Sequence, residues 1–140
     1  MGRLMAIDFG KKRCGIAVTD PLRISATPLE TVGAHEVLAK VLDYVAANGV
    51  DLIVVGKPTT LRGEPSESWQ YIEPFVTALR RRLPEGVDLR LYDERFTSTL
   101  AHKAMVDGGL GRQARRDKAL VDRTAATIIL TDYLQSIYNQ

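Results

Sequence analysis

The chain has almost no cysteine. Its single residue of that type, Cys14, excludes an intrachain disulfide and a zinc site of the multi-cysteine kind, and agrees with a reducing compartment. Long apolar runs are missing too, since no stretch approaches the roughly 20 residues of a membrane span. The opening MGRLMAIDFG carries one Arg but reaches Asp8 without the apolar centre of a secretory signal, so a cytoplasmic location is expected. Repeats and low-complexity tracts are absent. Excess charge is also slight: 19 Lys and Arg face 17 Asp and Glu, a formal net charge of +2. Such a balance does not by itself announce a polyanionic partner, so any basic surface has to come from clustering.

What is present describes an ordinary globular protein. At 140 residues, 45% hydrophobic and 26% charged, the chain is long enough to bury a core without staples, and one domain over residues 1–140 is expected. Residues 3–9 (RLMAIDF) and 13–19 (RCGIAVT) flank Gly10-Lys11-Lys12 and read as two strands joined by a tight hairpin. A third strand, 24–31, follows the turn signal Asp20-Pro21. Val37, Leu38, Val41, Leu42 and Val45 recur at helical spacing within 34–48, and Asn48-Gly49 supplies a stop.

The run DLIVVG (51–56) is continuously apolar, as expected of a central parallel strand covered on both faces. A loop over 57–67 leads to the stripe Trp69, Ile72, Val76, Leu79 and Leu83, which contains Pro74 and so predicts a kinked helix or a late helix start. DLRLYD (88–93) reads as a fifth strand, 97–106 as a helix ended by Gly108-Gly109-Leu110-Gly111, and 117–138 as the last helix. The order βββαβαβαα implies an α/β sandwich, one mixed five-stranded sheet flanked by helices.

Three acids stand out. Asp8 interrupts a strand that otherwise asks to be buried; a salt bridge, hydrogen bonds to the hairpin backbone, or a metal would each compensate its charge. Asp93-Glu94-Arg95 ends the fifth strand, where crevices form in open α/β sheets, and alternation lets only one of the two acids face inward. Asp122 lies at helical spacing on the line of Ala125, Ala126, Ile129 and Tyr133, where either the helix N-terminus or a shared site would stabilise it. Three carboxylates on separate elements suit magnesium or manganese, and two such ions about 4 Å apart serve phosphodiester cleavage.

The cations cluster around these acids. Lys11, Lys12 and Arg13 occupy the hairpin, while Arg112, Arg115, Arg116, Lys118 and Arg123 crowd the start of the last helix. Of these, Lys12, Arg13, Arg115, Arg116 and Lys118, together with Arg95, are the candidate contacts to a phosphate backbone; a solvated charged surface is the competing reading. Arg80-Arg81-Arg82 suits a helix C-terminus. His35 and His102 read as surface residues, Trp69 as core rather than a base-stacking platform, and Cys14 as a small apolar filler.

With these residues in hand the chain resembles the YqgF/RuvX family, described as Holliday junction resolvases and as nucleases for the 5′ end of pre-16S ribosomal RNA. The resemblance rests on AIDFGKKRCGIAVTD (6–20), VVGKP with the following Gly63 (54–63), DERFTS (93–98) and KALVDRTAATIIL (118–130), and covers nearly the whole chain. It implies a ribonuclease H-like fold, with Asp8, Glu94 and Asp122 as the metal-binding catalytic acids, and it favours Glu94 over Asp93. Lys57, Arg62 and Ser98 depart from the commoner family pattern without removing a carboxylate.

The leading expectation is a metal-dependent endonuclease that matures pre-16S ribosomal RNA on precursor particles. Holliday junction resolution on branched DNA, with the chain as a homodimer across symmetric strands, is the alternative. A non-catalytic RNA- or ribosome-binding factor is a third reading. Asp8-Phe9-Gly10 also matches the phosphate loop of actin-like and sugar kinases, but those enzymes close two domains around a nucleotide and this chain is too short for that.

Overall fold

The computed structural model describes residues 2–57, 67–93 and 118–138, with side chains of the last segment from 125 to 137. Among them are β1 (Arg3–Phe9), β2 (Arg13–Thr19), β3 (Ala26–Gly33), α1 (Val37–Ala47), β4 (Val50–Lys57), α2 (Trp69–Arg82), β5 (Asp88–Asp93) and α3 (Lys118–Tyr138). The expected helix over 97–106 lies outside the described residues. The strands form one sheet in the order β3-β2-β1-β4-β5. β2 runs antiparallel to β1 and β3, whereas β4 is parallel to β1 and β5. The mixed five-stranded sheet flanked by helices is therefore the architecture that the sequence implied, with β1 at its centre.

Alternation divides the core into two layers. Met5 and Ile7 of β1, Ile16 of β2 and Ile53 and Val55 of β4 face α1 and α2, where Val37, Val41, Val45, Ile72, Phe75, Val76 and Leu79 complete a large aliphatic cluster. Leu4 and Ala6, Ala17, and Leu52 and Val54 face α3, which contributes Ala126, Ile129, Leu130, Tyr133 and Leu134. β4 feeds both layers, which explains why its sequence shows no alternation. On the α3 side Ala6, Ala17 and Ala126 are fully buried, and such small side chains let the helix lie close to the sheet.

Pro74 does not delay its helix. α2 begins at Trp69 and continues through the proline to Arg82, ending with Arg80, Arg81 and Arg82 in its last turn. Pro74 lies on the exposed side, so the carbonyl left without an N–H partner faces solvent. Thr19 is the single buried polar residue among the described ones, and its Oγ1 accepts the Leu4 N–H at 2.9 Å beside the register shift at Arg3/Leu4. Cys14 is buried as an apolar residue would be, and His35 is exposed. No helix among the described residues is long and apolar enough to cross a membrane.

Candidate functional site

Asp8 belongs to the α3 face, in line with Leu4 and Ala6, at the C-terminal end of the central strand. It is half-buried. Its partner across β2 is Gly15, and the parallel register that pairs Ile7 with Val55 brings Gly56 alongside it on β4. Neither neighbour carries a side chain, so the carboxylate stands in a clearing on the sheet. Gly56 in turn pairs with Tyr92 of β5.

α3 runs back across this face. Its later residues Tyr133 and Ile137 line a cavity of about 280 Å³ with Leu4, Leu52 and Asp88, all near the N-terminal ends of their strands. The helix is therefore antiparallel to β1, and its first turns lie toward the Asp8 end.

Alternation also fixes the side that Asp93 takes at the end of β5. Arg90 and Tyr92 belong to the α3 layer, the Arg90 guanidinium donating to the Tyr133 hydroxyl at 2.8 Å, whereas Leu89 and Leu91 pack into the opposite core. Asp93 follows Leu91 and so takes the face away from Asp8. Glu94, Arg95, Arg115 and Arg116 lie outside the described residues, as do the side chains of Lys118 and Asp122. The described residues contain no cluster of three His, Cys, Asp or Glu side chains.

Tyr92 packs edge-on against Tyr133, with ring centroids 6.2 Å apart. Burial raises the Tyr92 phenol above its ordinary range, and the charges of Asp132 and Asp93 push the same way. It remains a neutral hydrogen-bond donor at the edge of the clearing. Burial likewise raises the Asp132 carboxyl.

The hairpin between β1 and β2 brings Lys11 and Lys12 to the same end of the sheet, both exposed, followed by the half-buried Arg13. Its turn requires Gly10, because a Cβ there would fall on the carbonyl oxygen of Arg13. The sequence reading missed what surrounds these cations. Lys11 Nζ lies 5.0 Å from the ring centroid of Tyr71, and Lys57 Nζ 4.9 Å from that of Trp69, both at the start of α2. Trp69 does pack against the core, as its spacing indicated, but it also carries a cation.

This arrangement has relatives. A family model described as RuvX, Holliday junction resolvase, matches residues 2–136. The chain belongs to the RuvX family. A protein of Parabacteroides distasonis named "Putative pre-16S rRNA nuclease" is 51% identical over 136 residues, covering 97% of this chain and 96% of its own. One of the same name from Phocaeicola vulgatus is 50% identical, with 97% of each chain covered. Among solved structures, T. thermophilus RuvC in complex with a Holliday junction substrate superposes with a TM-score of 0.59 at 19% identity, over 97% of this chain and 96% of that one. Fowlpox virus resolvase, solved with Holliday junction DNA, gives 0.58 at 10% identity, over 96% and 98%. At such identities the likeness establishes the fold, which is ribonuclease H-like.

Proposed function

We propose that this RuvX-family protein is a metal-dependent endonuclease that hydrolyses phosphodiester bonds in maturing the 5′ end of pre-16S ribosomal RNA, in the cytoplasm and on ribosomal precursor particles. What supports the reading is Asp8: a carboxylate at the C-terminal end of the central strand, flanked by Gly15 and Gly56, on the face of the sheet that α3 covers. A carboxylate at the end of a central strand in an open α/β sheet suits a hard cation.

Asp8, Glu94 and Asp122 would hold magnesium or manganese, in a set of oxygen donors suited to either; two ions is the number such chemistry commonly uses. When bound, the metal would activate the attacking water and stabilise the leaving oxygen. The protein's own groups do the rest. Lys12 and Arg13 from the hairpin, with Arg95, Arg115, Arg116 and Lys118, would hold the phosphate backbone on either side of the carboxylates. Tyr92, kept protonated, would offer a neutral donor beside the clearing. The exposed hairpin lysines would bring the strand to the acids without occupying them.

The family's description favours branched DNA as the second reading. The test is to incubate purified protein with pre-16S RNA fragments and with four-way DNA junctions, in magnesium, manganese or chelator, beside Asp8→Asn. Cutting of the RNA that needs metal and disappears in the folded variant is expected. Cutting of the junction alone would replace RNA by DNA as substrate, and binding without cutting in either metal would remove the catalytic reading.

A further inference from the structure

We infer that Tyr71 and Trp69, with Lys11 and Lys57 lying on their rings, form a platform for unpaired nucleotides across the end of the sheet from Asp8, so that the enzyme selects a substrate with a single-stranded segment near the bond it cuts. This rests on the nucleic-acid reading above and names the substrate class it implies. Four large hydrophobic side chains are exposed among the described residues: Leu22, Ile24, Leu29 and Tyr71. The first three lie on the loop after β2 and on edge strand β3, whereas Tyr71, 43% exposed, lies on α2 beside the hairpin that follows Asp8.

The platform is tied to Asp8 through the chain itself. Phe9, the next residue, takes the face opposite the Asp8 carboxylate and stacks on Phe75 of α2 with centroids 4.8 Å apart, one turn beyond Tyr71, so the platform lies across the end of the sheet from Asp8. Lys11 follows Asp8 by three residues, so their Cα atoms are at most about 11 Å apart.

The chemistry favours an unpaired base. An ammonium on an exposed ring contributes little to the fold, but it leaves the cation's N–H donors for a phosphate and sets an aromatic face next to it. Stacking on a side chain requires a base whose face is not covered by its neighbours, which a continuous duplex does not offer. Lys57, at the end of β4, supplies one of the two cations.

Trp69 is the chain's only tryptophan, so its fluorescence reports on the platform directly. Full-length Asp8→Asn protein would be titrated with a 12-nucleotide RNA single strand and with a fully paired RNA duplex, alone and with Tyr71→Ala, Tyr71→Phe or Lys11→Gln added. Quenching by the single strand, weakened about 5- to 100-fold by Tyr71→Ala and restored by Tyr71→Phe, is expected. Lys11→Gln should reduce the salt slope of binding by about 1, which Tyr71→Ala should not. Equal quenching by the duplex, or Tyr71→Ala binding as its parent does, overturns the platform. Because no step in this titration needs cleavage, loss of the nuclease reading would leave the platform standing, and an active enzyme indifferent to Tyr71 would remove the platform alone.

Discussion

The two ends of the central strand are built on different plans. Where β1 begins, charges close on one another: Arg23 pairs with Asp51 at 2.7 Å and donates to the Gly2 carbonyl at 2.9 Å, Asp51 also accepts the Gly2 N–H, and the Arg3 guanidinium donates to the Thr19 carbonyl. Where β1 ends, Asp8 lies between glycines and the lysines lie on rings. Ionic and hydrogen-bonded groups matched within the chain hold a fold together. Cations placed on π faces keep N–H donors for a ligand, and glycines keep space for one.

The largest effect that this division predicts is functional. Asp8→Asn should lower cleavage at least a thousandfold, about 4 kcal/mol of barrier, and chelator should do the same to the parent. The variant should stay folded at the assay temperature. Single-turnover cleavage beside a thermal melt checks both, and a variant that cuts at the parental rate would break the division at its functional end.

Gly10→Ala should come next, at about 1–3 kcal/mol, because its methyl group meets the Arg13 carbonyl and the hairpin has to shift. Denaturant unfolding measures that cost. Since the same turn presents Lys11 and Lys12, RNA affinity should fall with it, which separates this lesion from one at the opposite end.

Asp51→Asn offers that contrast. It removes the charge facing Arg23 in a pair whose side chains are 24% and 49% exposed, so the expected loss is at most about 1 kcal/mol and smaller in high salt. Cleavage should be unchanged. Melts at two salt concentrations and one cleavage assay decide it, and an Asp51→Asn protein that cut poorly would mean that the two ends are coupled.

Much of this was legible beforehand because each element announced its own period. DLIVVG read as a strand covered on both faces, Val37, Val41 and Val45 marked the buried side of α1, and the lone aspartate in RLMAIDF marked the C-terminal end of the central strand. Local pattern left Asp93 and Glu94 undecided, since the choice depends on which core β5 faces, and Leu89 and Leu91 settled the side for Asp93 only once the sheet was assembled. The platform was not legible either. Lys57 and Trp69, or Lys11 and Tyr71, are far apart in sequence and meet only because α2 begins beside the hairpin. Pro74 left two readings open, a kink or a late start, and the beginning of α2 at Trp69 removes the late start.

The smallest effect belongs to the loop near the first end of β1. Asp20 accepts the N–H groups of Ile24 at 2.8 Å, Ser25 at 2.9 Å and Leu22 at 3.2 Å, and these bonds, that from Ser25 foremost, hold its carboxyl below the ordinary value of 3.8. A carboxyl depressed in the folded state binds fewer protons there than in the unfolded chain. Its contribution to stability is therefore complete above about pH 4 and lost as the pH falls through the folded-state value. Asp20→Asn should melt slightly below the parent at pH 6 and converge with it toward pH 2, without altering cleavage at neutral pH. Asp20 lies at the surface, partly exposed, so the gap should be small. A gap of constant size down to pH 2 would show that the side chain acts through its shape, and the carboxylate would then have no part in fixing this loop.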